Sequence, residues 1–269
     1  MKICFIGGGN MATALIGGLL GKGFSSAEIC VVEISAENRA RLQRDFAVRV
    51  FESTAEGIIG SQIIIFAVKP QQLRAVAQEL ATSLSGQLLI SIAAGIITTD
   101  LARWSNCQSI VRAMPNTPSL IQSGMTGLYA LPAVTHTQRE LAQNILAAVG
   151  ETLWLKDEAM MDAVTAISGS GPAYVFYFIE ALQQAAQKLG LNADDARRLS
   201  LATFLGASKL ATSSDEDVSV LRARVTSKNG TTERALLSLS SNHVAEHIAQ
   251  AAQAAATRSR EMGVELGKT

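Results

Sequence analysis

Residues 2–12 read K-I-C-F-I-G-G-G-N-M-A, a short apolar run that stops at three glycines and continues at helical spacing. The run Ile3, Cys4, Phe5 and Ile6 predicts a buried strand, the glycines a tight turn, and Asn10 onward a helix. Gly7, Gly9 and Ala12 fit the G-x-G-x-x-G/A spacing. In that spacing the first glycine makes the turn, the second lets the backbone approach a pyrophosphate, and the third small residue lets the helix close on the strand. The pyrophosphate then meets the N–H groups that no helical carbonyl can reach. A second apolar run, Ile29, Cys30, Val31 and Val32, ends in Glu33. An acid about 20 residues after the glycines is the group that reads an adenosine ribose. Strand, glycine turn, helix and acid in this order predict a dinucleotide-binding unit.

Outward from this start the chain keeps alternating. A helical pattern covers 35–44, and the continuous apolar run at 63–66 predicts a strand buried on both faces. It turns off through Ala67, Val68, Lys69 and Pro70. Further strands at 88–92 and 109–114 end in Ala93-Ala94-Gly95 and Pro115-Asn116-Thr117-Pro118. Three successive strand ends with small or turn-forming residues leave room for a flat ligand at the carboxyl edge of a parallel sheet. From about residue 157 strand signals vanish, alanine becomes frequent, and helical stretches follow, with a break at Ser168-Gly169-Ser170-Gly171-Pro172. The expected fold class is α/β: a Rossmann-type unit over 1–156, then an all-α unit over 157–269.

Composition narrows the function classes. The net charge is zero with no basic face, which excludes nucleic acid as an expected partner. No apolar run reaches the roughly 18 residues of a membrane span, and no leader precedes a strand that starts at residue 2, so a cytoplasmic protein is expected. Cys4, Cys30 and Cys107 read as small apolar filler in a reducing compartment. His243 and His247 are four apart but lack a third ligand, so no metal is expected.

A second anion site is written at 225–235, V-T-S-K-N-G-T-T-E-R-A, where Gly230 leads into the first turn of a helix. Free N–H groups at the positive end of the dipole suit a carboxylate, and Thr231 and Thr232 add two hydroxyls that donate or accept. Thr followed by Glu is also an ordinary capping pattern. Six segments in order decide between these readings: Gly7-Gly8-Gly9-Asn10-Met11-Ala12, Ala67-Val68-Lys69-Pro70, Ser91-Ile92-Ala93-Ala94-Gly95, Arg112-Ala113-Met114-Pro115-Asn116-Thr117-Pro118, Ser168-Gly169-Ser170-Gly171-Pro172-Ala173-Tyr174, and Gly230-Thr231-Thr232. Together they resemble the motifs of the pyrroline-5-carboxylate reductases, over nearly the whole chain. The family has Pro-Gly where this chain has Lys228-Asn229; Asn tolerates left-handed backbone, so the turn is expected to survive.

The resemblance implies NADPH-dependent reduction of a cyclic imine that carries a carboxylate. By it, Ile6, Gly7, Gly8, Gly9, Asn10, Met11, Ser35, Ala67, Val68, Lys69, Pro70, Ile92, Ala93 and Ala94 would line the cofactor. Glu158, Gly230, Thr231 and Thr232 would hold the substrate, with Thr232 the catalytic hydrogen-bonding group. The residues themselves divide on the cofactor. Glu33 would accept from a free ribose 2′-OH and favours NADH, whereas Ser35, Asn38 and Arg39 just beyond it could take a 2′-phosphate; NADPH with usable NADH is the expectation. Lys69 is a rival acid–base group. A β-hydroxyacid dehydrogenase would need a lysine on the long helix after 157, where none occurs before Lys188, and a nucleotide sensor would need no second anion site. Apolar positions nearly encircle 173–186, which predicts burial on all sides and hence a homodimer; the resemblance adds larger rings of dimers.

Overall fold

The computed structural model describes residues 1–268. It opens with β1 (Ile3–Ile6), α1 (Asn10–Gly21), β2 (Ile29–Val32), α2 (Ala36–Phe46), β3 (Arg49–Phe51), the single turn α3 (Thr54–Gly57), β4 (Ile63–Phe66), α4 (Pro70–Leu80), β5 (Leu88–Ser91), α5 (Thr98–Ser105) and β6 (Ile110–Met114). There follow β7 (Gly124–Ala130), α6 (His136–Leu146), β8 (Gly150–Trp154), α7 (Met160–Val164), α8 (Gly171–Lys188), α9 (Ala193–Thr212), α10 (Val218–Arg224), α11 (Thr231–Ser241) and α12 (Val244–Lys268).

The eight strands form one sheet in the order β3-β2-β1-β4-β5-β6-β7-β8. The first six are parallel, β7 runs antiparallel to β6, and β8 is parallel to β7. Every residue of β1, β2, β4 and β5 is buried, as strands covered on both faces require, which is why they read as unbroken apolar runs. Because β1 lies between β2 and β4, the strand order reverses there, and a crevice opens at the carboxyl ends of these strands. Cys4 and Cys30 face each other in register across β1 and β2, both buried and unbridged. The hydrogen bond to Cys30 and burial push the Cys4 thiol above its ordinary range, while the Cys30 thiol donates to the Gly57 carbonyl at 3.1 Å.

By contacts the chain divides into one unit that holds residues 1–170 together with 254 onward, and a second that holds 171–253. The expected boundary at 156 lies one helix earlier. The difference is α7 and the π-helical turn Thr165–Gly169, which stay with the sheet. Asn116 fastens this turn: its Nδ2 donates to the Ser168 carbonyl and Oγ, both at 3.2 Å, and its Oδ1 accepts from Met125 N at 2.9 Å. The end of α12 also belongs to the first unit. A Cβ on Gly263 would lie 2.7 Å from the Gly95 carbonyl, and Ser259 donates to Asp162 at 2.7 Å.

In the second unit Pro172 sits at the start of α8, the place a helix tolerates it. Asn192 caps α9 by accepting from Asp195 N at 2.9 Å. Asp217 caps α10, and the hydrogen bonds from Ser219 hold its carboxyl below the ordinary 3.8. Within 171–253 only Ala196 and Ser200 are buried, so this unit has almost no core of its own in a single chain. No helix among the described residues is long and apolar enough to cross a membrane.

Candidate functional site

The three glycines after β1 stand in three different settings. Gly7 has φ +100°, and a Cβ there would lie 2.7 Å from the Ala67 carbonyl oxygen. Gly8 would strike Leu42 Cδ1 at 2.5 Å. Gly9 is neither strained nor crowded: its φ is −71°, and a Cβ on it would meet nothing within 4 Å. It heads α1 with no side-chain cap, and the first helical bond runs from Thr13 N to Gly9 O at 2.9 Å. The N–H groups of Asn10, Met11 and Ala12 are therefore unspent and face an open approach. Such a cradle offers hydrogen bonds to an anion.

Strand ends join edge to edge around it: Gly7 N donates to Val32 O at 2.8 Å, Ala67 N to Ile6 O at 2.8 Å, and Ile92 N to Phe66 O at 3.1 Å. A cavity of about 390 Å³ lies along them. Its walls bring together Ile6, Gly7, Gly8, Gly9, Ala67, Val68 and Lys69, with Val32, Glu33 and Ile34 from the end of β2. Asn10, Met11, Ser35, Pro70, Ile92, Ala93 and Ala94 are not on these walls. Ser35 instead caps α2, accepting from Asn38 N at 3.3 Å, and Pro70 opens α4. Sequence reasoning missed Glu52, Ser53 and Thr54, which line the cavity from beyond β3, and Gln72, Val76 and Glu79 from α4. The only signal was the three-residue β3 itself, too short to stand out.

Glu33 is held at both oxygens. Gly8 N donates to Oε2 and Ser35 N to Oε1, each at 2.9 Å, so the acid ties the glycine turn to the start of α2. Arg39, expected as a phosphate reader, is engaged: Nη1 donates to the carbonyls of Glu33 and Ile34, and Nη2 to Glu52 at 2.8 Å.

Glu158 is likewise committed to the protein. Oε1 accepts from Thr98 N at 2.8 Å and Arg112 Nη1 at 2.9 Å, and Oε2 accepts from the Thr98 hydroxyl at 2.6 Å. The pair is largely dry, with Arg112 5% and Glu158 18% exposed at their side chains, and it ties the β8–α7 junction to the first turn of α5. Both residues also border a cavity of about 840 Å³ with Gly95, Asp100, Arg103 and Arg260. The sequence placed Arg112 in a strand and in a family-like segment, but not its pairing with Glu158, because nothing local shows which acid an arginine inside an otherwise apolar strand meets.

In the second unit Gly230 heads α11 with φ −85° and no side-chain cap. The left-handed residue is Asn229, at φ +60°, which is how the turn survives without its usual glycine. Gly230 is required by packing instead: a Cβ there would fall 2.3 Å from Ser227 Oγ and 3.0 Å from its carbonyl oxygen. Glu233 Oε2 accepts from Asn229 N at 2.8 Å, half of a capping box, whereas among the described residues no hydrogen bond engages the hydroxyls of Thr231 and Thr232. The helix thus offers free N–H groups and two free hydroxyls at one point.

A mostly parallel sheet with an open glycine turn at its switch point defines the first unit as a Rossmann-type, dinucleotide-dependent oxidoreductase unit. The profile described as "NADP oxidoreductase coenzyme F420-dependent" matches residues 2–95, and that described as "Pyrroline-5-carboxylate reductase dimerisation" matches 158–262. A pyrroline-5-carboxylate reductase of Pseudomonas aeruginosa is 47% identical over 269 residues, covering 99% of this chain and 98% of its own. The solved pyrroline-5-carboxylate reductase of Coxiella burnetii superposes with a TM-score of 0.93 at 40% identity, over 97% of this chain and 98% of the other. The pyrroline carboxylate reductase of Plasmodium falciparum, solved with NADP bound, gives 0.87 at 31% identity over 98% of each chain. The chain belongs to the pyrroline-5-carboxylate reductase family.

Proposed function

We propose that this chain reduces the C=N bond of 1-pyrroline-5-carboxylate to give proline, with NADPH as the preferred donor and NADH usable. The observation that carries the reading is the uncapped start of α11, where Gly230 opens a run of free N–H groups beside two free threonine hydroxyls. Its N–H groups fix the substrate carboxylate, and the dipole of α11 stabilises that charge. The Thr232 hydroxyl hydrogen-bonds the ring nitrogen, orients the imine, and relays a proton to it directly or through water. The dihydronicotinamide, when bound, supplies the hydride. In the first unit Gly7, Gly8 and Gly9 with the N-terminus of α1 hold the pyrophosphate, and Ser35, Lys69, Pro70, Ile92, Ala93 and Ala94 complete the cofactor's surroundings.

Glu158 enters this reading in a changed role. With three hydrogen bonds to Thr98 and Arg112, its carboxylate holds the segment after Ala94 in place.

The working form is a homodimer formed through the helical unit, with rings of dimers as a further level. Phe176 and Tyr177 on α8 are 66% and 69% exposed in the single chain, and the same helix from a second copy covers such a face by two-fold symmetry. Three unbridged thiols support a reducing, cytoplasmic setting. The deciding experiment follows NADPH absorbance with 1-pyrroline-5-carboxylate and identifies the product. Oxidation of NADPH with formation of proline is the expected result, and no oxidation overturns the reading.

A further inference from the structure

The end of the cavity nearest Glu33 is acidic. β2 and β3 run out side by side there, with Val32 opposite Phe51 and Glu33 N donating to Phe51 O at 2.9 Å. Glu33, Glu52 and Glu79 line the cavity, and Lys69 is the one cation among its lining residues. A ribose 2′-phosphate brings close to two further negative charges to this place. Arg41 is turned to the Gly8 carbonyl and the Thr13 hydroxyl, at 3.2 and 3.3 Å, and the guanidinium beside Glu52 is Arg39, already built into position. Both Nη1 hydrogens go to backbone carbonyls, of Glu33 at 2.7 Å and Ile34 at 2.9 Å, so the group is clamped whether or not it has an ionic partner. Nη2 carries the ion pair with Glu52 at 2.8 Å.

We propose that Glu52 sets the dinucleotide preference of this chain, by occupying the outward edge of the Arg39 guanidinium and keeping a second carboxylate beside the ribose. This rests on the reading that the cavity at Glu33 takes the adenosine ribose. An NADPH phosphate must share Arg39 with Glu52 and bear its repulsion, whereas the 2′-hydroxyl of NADH meets Glu33 as a simple acceptor. Glu52 thereby holds the preference for NADPH down and keeps NADH in use. Removing its charge leaves Arg39 on its two carbonyls with no counter-charge at Nη2, a fork pre-set for a phosphate.

The substitution is safe for the fold, because the Glu52 side chain is 74% exposed and touches Arg39 from outside. NADPH and NADH are titrated separately into the full chain by fluorescence. Glu52→Gln should tighten NADPH about five-fold, the effect of one unit charge acting through a water-like dielectric, and leave NADH within about two-fold. The gain should shrink at high salt, and shrink again when Arg39→Met is added, because only the direct repulsion by Glu52 then remains. Equal changes for both nucleotides, or a gain that Arg39→Met leaves undiminished, overturn the proposal. If the proposal alone is wrong, Glu33→Gln still changes the ratio of the two affinities while Glu52→Gln is silent. If the ribose reading is wrong, both variants are silent although both nucleotides still bind.

Discussion

Gly9→Ala places a methyl group in the open space in front of α1, and two substitutions two residues apart then separate stability from binding. At Gly9 the backbone, φ −71° and ψ −174°, is one that alanine adopts freely, and the new Cβ meets nothing within 4 Å. Replacing glycine at such a position gains about 0.4–1 kcal/mol from the unfolded chain. Alanine is a poorer helix cap than glycine by a similar amount, so the two effects nearly cancel. The melting temperature should therefore stay within about 2–4 °C of the parent. NADPH binding should not. A methyl group in the path of the pyrophosphate disrupts one or two charge-assisted hydrogen bonds worth about 1.5–3 kcal/mol each, so the dissociation constant rises ten- to a hundred-fold or more. Gly7→Ala behaves in the opposite way: φ +100° and a carbonyl oxygen 2.7 Å from the new Cβ cost about 1–3 kcal/mol of stability. Calorimetry beside a fluorescence titration of NADPH reads both. If Gly9→Ala binds NADPH as tightly as the parent, the pyrophosphate does not lie over this turn and the cofactor assignment falls.

Three further outcomes test other parts of the molecule. Thr232→Ala should retain NADPH affinity and lose about ten- to a hundred-fold in kcat/KM for the imine, the loss of one positioned hydrogen bond of about 1–3 kcal/mol; an unchanged ratio removes Thr232 from the chemistry. Glu158→Gln leaves the buried Arg112 guanidinium without its counter-charge and should cost about 3 kcal/mol, a fall in Tm of roughly 6–12 °C, whereas a variant that melts with the parent shows the pair to be dispensable. Phe176→Glu puts a charge on the apolar face of α8 and should shift the assembly to monomers by light scattering and lower turnover with it; a fully active monomer would refute the dimer reading.

The sequence made the first unit legible wherever physics leaves one choice. Strands buried on both faces must be apolar throughout, so β1, β2, β4 and β5 announce themselves, and Gly7 had to be glycine to turn where it does. β7 and β8 did not: β7 carries Gly124 and Gly127, the second needed because a Cβ would lie 2.7 Å from Val164 Cγ1, and β8 is an edge strand of mixed exposure. The return of α12 to the first unit was equally silent, since Gly263 looks like any helical small residue until Gly95 is placed against it. At the site, glycines and hydroxyls were readable because their chemistry is local. The partners that engage Arg39 and Glu158 were not, because Glu52 and Arg112 reach them only through the pairing of strands.

A unit in which only Ala196 and Ser200 are buried has a consequence for how the protein behaves in bulk. If a second copy completes that unit, folding and association are one equilibrium, and the melting temperature rises with the concentration of chains. Dilution then acts as a denaturant. A chain damaged only in its first unit would still be bound by an intact one, so an excess of such chains would withdraw healthy copies from the active pool by mass action alone.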